Sequence, residues 1–393
     1  MEIRPADRLQ QIGSYAFAEV DKQVAELEKQ GIEPVDFGVG DPTDPPPECA
    51  RQALKGGVER HSTAGYPSYT GSEEYRRTIS DWMSDRFGVE LDPEREITST
   101  LGSKEGIFNF PEAFVNPGDV VIIPTPGYPP YTRGTQFAEG ECYHMPLLPQ
   151  NDFLLDVDAI PEEVAERAKI MWLNYPNSPT GTVADRDYLE KAARFGQEND
   201  IIVASDEAYT EIYYTEERPP SMLEVARDGV IVFQSMSKRS CMTGYRIGWA
   251  CGDEQVVEAF KKVKTNIDSG TPRFIQDAAV AALKDEGHVQ QSRDSYRRKR
   301  DMLVDALTSA GLADCRPEGT IYLWQKVPEG YSSVEFAKEL LDPEIAAVTT
   351  PVAWLSDETE DGENPGEGFV RFALVPPEDR VEKAAEAISK ARW

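Results

Sequence analysis

The chain has 393 residues, of which 40% are hydrophobic and 28% are charged, a composition typical of a globular protein with more than one domain. Its formal net charge is −29, from 70 acidic and 41 basic residues, and this sign disfavours nucleic-acid binding. No apolar run approaches the ~20 residues that a membrane span needs, and the first residues lack a signal-peptide core.

Helical patterns alternate with short apolar runs from about residue 48 to residue 252. The runs that predict strands cover residues 120–123, 170–173, 201–204 and 230–233. This alternation favours a mainly parallel sheet with helices on both faces. A helix-rich stretch follows, and strand-like runs near residues 321–327, 346–350 and 369–375 then predict a second, smaller unit.

The loop before the helical pattern of residues 107–115 contains Gly102, Ser103 and Lys104. Backbone N–H groups at a helix start attract phosphate oxygens, and the serine hydroxyl and the lysine would add further donors. We interpret the loop as a phosphate site, with an ordinary helix cap as the alternative. Tyr128, in a later proline- and glycine-containing loop, can stack on an aromatic ligand.

Asp206 and Tyr209 follow the apolar run that begins at Ile201. A carboxylate at a strand end can pair with the pyridine nitrogen of pyridoxal phosphate (PLP) and keep it protonated, which makes the ring an electron sink. Tyr209 can reach the ring hydroxyl of the same cofactor. A helix cap is the alternative interpretation for Asp206, and a half-buried aromatic is the alternative for Tyr209.

Lys238 comes just after the run that begins at Val230, where open α/β sheets hold ligands. Ser235 and Ser237 stand just before it, and Arg246 follows eight residues later. PLP needs an amine for a Schiff base and a cation for its phosphate, so this pattern suits the cofactor.

In this order the motifs resemble the class I aminotransferases of PLP fold type I, over nearly the whole chain. Further matching motifs lie at residues 38–42, 66–71, 177–181 and 368–372. The resemblance implies an α/β fold, with a mainly parallel seven-stranded sheet in a large domain and a smaller α+β domain. We expect an N-terminal arm and small-domain segment at 1–45, the PLP-binding domain at 46–285 and the small domain at 286–393.

The resemblance also implies roles for single residues, with Lys238, Asp206 and Tyr209 as the catalytic group. The cofactor-binding set it implies is Gly102, Ser103, Lys104, Tyr128, Asn177, Ser178, Asp206, Tyr209, Ser235, Ser237, Lys238 and Arg246, with Tyr66 supplied by the other subunit of a homodimer. The substrate-binding set it implies is Gly40, Tyr15, Arg371 and Arg273. Arg371 would clamp the substrate α-carboxylate, and Arg273 is either a ligand of a distal carboxylate or a surface arginine.

Ser178 departs from the family pattern. The family has Asn-Pro-Thr-Gly, whose asparagine hydrogen-bonds the ring hydroxyl of the cofactor. Here Ser178 precedes Pro179, and Asn177 stands one position earlier. The sequence leaves open which of the two residues contacts the cofactor.

The implied activity is transfer of an amino group between an amino acid and a 2-oxo acid by a ping-pong mechanism. Residues 14–21 and 264–272 resemble diaminopimelate-type aminotransferases, which act on LL-diaminopimelate or its N-succinyl form, and aspartate aminotransferases share most of this frame. The alternative is a PLP-dependent C–S lyase or related eliminating enzyme. Two other classes of protein are disfavoured. A PLP-sensing transcription regulator carries an additional N-terminal DNA-binding domain, and we expect none in the short segment before Gly38. A nicotinamide dehydrogenase would need a dinucleotide-binding fingerprint, which Asp41 and Pro42 interrupt after Gly40.

The acidic excess is spread along the whole chain, which favours a halophilic source because molar salt screens such repulsion. The five cysteines are scattered, with no CxxC and no paired histidine. They indicate a reducing cytoplasm and no metal site.

Overall fold

The computed structural model describes residues 3–10 and 18–393, so Tyr15 lies outside the described residues. The helices are α1 Asp7–Gln10, α2 Ala18–Lys29, α3 Glu48–Arg60, α4 Glu73–Phe87, α5 Ser103–Asn109, α6 Pro129–Phe137, α7 Glu162–Ala165, α8 Arg186–Glu198, α9 Met236–Arg239, α10 Glu254–Ile267, α11 Arg273–Leu283, α12 Gly287–Ser309, α13 Ser333–Glu339 and α14 Glu378–Ile388. The strands are β1 Val35–Asp36, β2 Ile97–Thr100, β3 Val120–Thr125, β4 Glu141–Pro146, β5 Ala168–Asn174, β6 Ile202–Asp206, β7 Val230–Ser235, β8 Gly248–Gly252, β9 Tyr322–Lys326, β10 Ala347–Val348, β11 Thr350–Pro351 and β12 Phe369–Ala373. Within the described ranges, no helix has both the length and the apolarity to cross a membrane.

Seven strands form the main sheet, in the order β2-β8-β7-β6-β5-β3-β4. The strands β4, β3, β5, β6 and β7 pair in parallel, whereas β8 runs antiparallel to both of its neighbours. The four apolar runs of the sequence lie in β3, β5, β6 and β7, which are almost wholly buried. A parallel strand with both faces covered has a nearly continuous apolar sequence, as these four strands do. The predicted α/β fold class is confirmed.

Helices cover both faces of this sheet. On one face, Phe110 packs edge-on against Trp172, Phe233 and Phe260, with ring centroids 5.4–5.8 Å apart. Each such pair contributes ~0.5–1.5 kcal/mol beyond the area it buries. The opposite face packs against residues of α4, α8 and α11.

Aspartates fix the starts of two of these helices. Asp185 accepts a hydrogen bond from the Tyr188 backbone N–H (2.8 Å) before α8. Asp253 does the same for Gln255 (2.7 Å) before α10. A cap of this kind is worth ~1 kcal/mol, so the acidic composition partly serves helix initiation.

A second hydrophobic cluster surrounds the antiparallel sheet β11-β12-β9 and the helices α12, α13 and α14. The N-terminal strand β1 joins this unit by pairing with β10. Phe37, just after β1, packs edge-on against Phe372 with a centroid distance of 5.7 Å. The chain therefore contributes its N-terminal segment to the same unit as its C-terminal residues.

The carboxyl ends of the parallel strands meet at one edge of the main sheet. Asn174 and Asp206 end β5 and β6 and are paired in register, and Ser235 ends β7 opposite Gly248, the first residue of β8. Polar side chains that follow apolar strands are thus collected at the edge where α/β sheets bind ligands.

Candidate functional site

A cavity of about 690 Å³ lies at this edge, between the main sheet and the second unit. Residues predicted from the sequence form most of its wall, namely Gly40, Ser103, Lys104, Tyr128, Ser178, Asp206, Tyr209, Ser235, Ser237, Lys238, Arg246 and Arg371. Its size lies in the range of cofactor and substrate pockets.

Lys238 lies in α9, the single helical turn that follows β7. The Ser235 hydroxyl caps this turn by accepting a hydrogen bond from the Ser237 backbone N–H at 3.1 Å. The Lys238 Nζ donates to the carbonyl oxygen of Gly40. Burial lowers the pKa of Lys238, so more of its amine is neutral and nucleophilic near pH 7 than for an exposed lysine.

Asp206 is only 4% exposed. Its Oδ2 accepts a hydrogen bond from the Tyr131 hydroxyl at 2.8 Å, and its Oδ1 accepts one from the Ala208 backbone N–H at 3.2 Å. Burial raises the pKa of Asp206 to about 6. A cation bound next to the carboxylate would restore its charge, so the site suits a protonated ring nitrogen.

Tyr209 and Tyr322 form a buried pair whose hydroxyl oxygens are 3.1 Å apart. Burial raises the pKa of Tyr209. Burial acts in the same direction on Tyr322, but the Arg371 guanidinium and the Lys238 amine outweigh it and lower the pKa of Tyr322 overall. A β-carbon at Gly40 would lie 2.0 Å from the Tyr322 hydroxyl oxygen, so this close approach requires glycine.

The cationic end of the cavity is formed by Arg246, Lys104 and the serine hydroxyls near them. Arg246 Nη2 donates to the Leu101 carbonyl at 3.1 Å. Gly102 has a φ of +77°, and a β-carbon there would lie 2.5 Å from Arg246 Nη2. Glycine therefore leaves room for the guanidinium, and the two cations with the hydroxyls of Ser103 and Ser235 can hold a phosphate.

Arg371 projects from β12 toward the same cavity. Its Nη2 donates to the Gly38 carbonyl at 3.0 Å, and its carbon Cζ lies 4.4 Å from the centroid of the Tyr322 ring. The buried Nε of Arg371 has no hydrogen-bond partner among the residues that the structure describes. A free guanidinium donor of this kind can bind a carboxylate.

Ser178, and not Asn177, reaches the cavity wall. Asn177 is 1% exposed, and its Oδ1 accepts hydrogen bonds from the backbone N–H and the hydroxyl of Thr180 at 3.1 and 2.8 Å. Its Nδ2 donates to the Asn174 carbonyl at 3.1 Å. The asparagine side chain is therefore occupied within its own turn, and the serine is left to face a ligand.

Tyr66 and Arg273 do not line the cavity of the single chain. Tyr66 is 82% exposed, and Arg273 is exposed at the first position of α11. The segments that carry them are adjacent, because a β-carbon at Gly270 would lie 2.4 Å from the Ser68 carbonyl oxygen. Both predicted residues are thus exposed on neighbouring segments of the surface.

Three residues at the site were missed by the sequence reasoning. Asn174 lines the cavity and donates to the Asp206 carbonyl at 2.8 Å. A polar residue that ends an apolar run was the available signal for it. Tyr131 and Tyr322 gave no signal, because a tyrosine in a helix or strand pattern is usually a packing residue.

Comparison with known proteins identifies the family. The model of the family "Aminotransferase class I and II" matches residues 32–388. The chain belongs to this family. Its members use PLP, and the cavity carries groups that fit that cofactor: an amine, a buried carboxylate and a cationic end. The chain is therefore a PLP-dependent aminotransferase of fold type I, as its motifs indicated.

Individual relatives resemble the aminotransferase over its whole length. The LL-diaminopimelate aminotransferase of Aquifex aeolicus is 44% identical over 390 residues, covering 98% of this chain and 99% of the relative. A single mutant of Thermus thermophilus aspartate aminotransferase has a TM-score of 0.89 at 28% identity, covering 99% of this chain and 100% of that one. A probable N-succinyldiaminopimelate aminotransferase from Thermus thermophilus has a TM-score of 0.85 at 31% identity, covering 96% of this chain and 100% of that one.

Proposed function

We propose that this aminotransferase moves the amino group of LL-diaminopimelate to a 2-oxo acid such as 2-oxoglutarate. The observation that carries the proposal is the 44% identity to the LL-diaminopimelate aminotransferase of Aquifex aeolicus, across 98% of the chain. The N-succinyldiaminopimelate and aspartate enzymes are the other candidates, and their solved structures are 31% and 28% identical to this chain.

We assign the chemistry to Lys238, Asp206 and Tyr209. When bound, PLP supplies an electron-withdrawing ring that stabilises negative charge at the substrate Cα. Lys238 Nζ would hold the cofactor and then carry the proton that leaves the substrate Cα. Asp206 would hold the charge of the ring nitrogen, while Tyr209 and Ser178 would bind the ring hydroxyl.

The remaining predicted residues would position the cofactor and the substrate. The phosphate set consists of Gly102, Ser103, Lys104, Ser235, Ser237 and Arg246. Tyr128 would stack on the ring, since it lies in the same wall as Asp206. Arg371 and the backbone of Gly40 would bind the α-carboxylate, which the unpartnered Nε of Arg371 supports.

We further propose a homodimer in which Tyr66 of each subunit reaches the cofactor phosphate of the other. The exposure of Tyr66 and its adjacency to the segment of Arg273 support a shared face. The pairing of β1 with β10 and the second hydrophobic cluster support the division into 1–45, 46–285 and 286–393. The five free cysteines support a cytoplasmic location.

Substrate preference tests the function directly. With purified enzyme loaded with PLP and 2-oxoglutarate as acceptor, we compare LL-diaminopimelate, its N-succinyl form and aspartate as amino donors. We expect kcat/KM to be highest for LL-diaminopimelate.

Arg371→Ala should raise KM for the amino acid and the 2-oxo acid by at least ~30-fold, because truncating a buried charge pair costs ~2–5 kcal/mol.

Arg246→Ala is the matched control, because it removes the other cavity arginine. It should weaken PLP binding, whereas Arg371→Ala should leave PLP binding nearly unchanged. A preference for aspartate would refute the proposed substrate without affecting the aminotransferase assignment. Loss of PLP in Arg371→Ala with normal KM would show that the two arginine roles are interchanged.

Salt should stabilise the protein. Because the net charge is −29, acidic side chains repel one another across the folded surface. Salt shortens the range of this repulsion from ~10 Å at 0.1 M to ~3 Å at 1 M. We expect the melting temperature to rise by several degrees and the dimer to tighten between about 0.1 M and about 2 M potassium chloride. Equal melting temperatures and equal sedimentation at both concentrations would remove the halophilic interpretation.

A further inference from the structure

Cys49, Asp285 and His288 meet outside the cavity. Cys49 is the second residue of α3, and the other two stand at the start of α12. One possible ligand atom from each lies within 4.8 Å of those of the other two, and His288 Nδ1 is 3.8 Å from Asp285 Oδ2. Because Cys49 is far from the other two in the sequence, the spacing of motifs predicted no metal site.

The His288 ring is oriented as a ligand would be. Its Nε2 is 2.9 Å from the Ser240 Oγ, and this oxygen also accepts a hydrogen bond from Arg239 Nη1 at 3.0 Å. The buried Nδ1 has no hydrogen-bond partner within residues 3–10 and 18–393. A proton on Nε2 that is donated to Ser240 leaves the Nδ1 lone pair free, the arrangement that metal-binding histidines adopt.

The charges of the three groups also suit a divalent cation. A metal binds the thiolate form of cysteine, the neutral form of histidine and a carboxylate, so binding would release the thiol proton of Cys49. One thiolate and one carboxylate then balance a charge of +2.

We propose that Cys49, Asp285 and His288 bind one Zn²⁺ ion, with water as the fourth ligand. Sulfur, nitrogen and oxygen donors in a set of this kind are typical of zinc, whereas Mg²⁺ and Ca²⁺ prefer oxygen alone. All three side chains are partly exposed, so the ion can enter from solvent. Modest rotation of the side chains would close the ligand distances to those of a tetrahedral site.

The position of the site gives the ion a structural role. It would join α3, beside the main sheet, to the junction of α11 and α12, where the chain passes toward the second hydrophobic cluster. The hydrogen bonds from His288 to Ser240, and from Arg239 to Ser240, continue this connection to α9. Zinc would therefore stabilise the turn that carries Lys238 from the side away from the cavity.

Titration with Co²⁺ tests the site in the full-length enzyme loaded with PLP. The d–d bands of tetrahedral Co²⁺ lie at longer wavelengths than the absorption of the cofactor, and an excess of Mg²⁺ occupies the acidic surface. We expect one Co²⁺ per chain in the wild type. Cys49→Ser and His288→Gln should each weaken binding by at least ~100-fold, and Ser240→Ala by ~10-fold, as expected for a residue that supports a ligand.

Cys142→Ser and His61→Gln are the matched controls, because they make the same substitutions away from the three residues. Both should bind Co²⁺ as the wild type does. Zn²⁺ should raise the melting temperature of the wild type by ~3 °C and leave that of Cys49→Ser unchanged. Equal Co²⁺ binding by the wild type and Cys49→Ser, or equal Zn²⁺ stabilisation of both, would overturn the proposal. Should His288→Gln fail to fold, Asp285→Asn provides the same comparison.

Discussion

Lys238→Ala is expected to abolish transamination while leaving the fold intact. The same Nζ serves as the nucleophile that holds the cofactor and as the carrier of the Cα proton, so we expect kcat to fall by ~10⁴-fold or more. The substitution should preserve stability, because the Lys238 side chain lines the cavity and, among the residues that the structure describes, its amine hydrogen-bonds only the Gly40 carbonyl. Steady-state kinetics and the melting temperature measure both effects.

Borohydride reduction and peptide mapping identify the linked lysine independently of activity. In the wild type, we expect the cofactor on the peptide that contains Lys238 and on no other. Lys104 is the control, because it is a second lysine in the cavity wall. Lys104→Ala should retain the label, and recovery of the label on Lys104 in the wild type would exclude our assignment of Lys238.

Asp206→Asn should leave PLP bound and slow turnover by ~10²–10³-fold, the loss that follows removal of one preorganised polar contact in other enzymes. A neutral amide can accept a hydrogen bond but cannot balance the charge of a protonated ring nitrogen. Single-turnover measurement of Cα proton loss reports this step. Glu207→Gln is the control, because Glu207 is the adjacent buried carboxylate but bonds Ser221 and the Met222 backbone instead of facing the cavity. Wild-type rates in Asp206→Asn would show that another group pairs with the ring nitrogen of the cofactor.

The stability of the protein without cofactor gives a second measure of Asp206. Its pKa is about 6 in the fold, above the ordinary value of an aspartate. The folded state therefore binds the proton more tightly than the unfolded state does, and stability from this group falls as pH rises from about 4 to about 6. We expect this decline to be smaller in Asp206→Asn, and PLP to offset it in the wild type.

The sequence indicated where Asp206 and Lys238 lie in the main sheet, because each stands at or just after the end of a buried apolar strand. Local periodicity marks the two strands, and parallel pairing carries both residues to one edge. The short strand β2, with sequence Ile-Thr-Ser-Thr, and the half-exposed β4 carry no comparable pattern, so the order of strands could not be read from the chain.

Residues placed by packing between units were less accessible to sequence reasoning. Tyr322 meets Tyr209 only because β9 is folded against the edge of the main sheet. Its contact with Gly40 joins segments that lie far apart in the chain, and no local pattern encodes such a contact. The sequence likewise left open whether Asn177 or Ser178 faces the cavity, because this depends on which side chain forms hydrogen bonds within the turn.

The reversed direction of β8 has a consequence for the length of the connection before it. Because β8 runs antiparallel to β7, it starts at the edge where β7 ends, and a few residues suffice to place Lys238 and Arg246 at the same edge. A parallel strand would need a crossover of a dozen or more residues to return there. The number of residues between Lys238 and Arg246 therefore sets the distance between the amine and the guanidinium that would bind the phosphate. An insertion within it would misplace one charge relative to the other even with both residues retained.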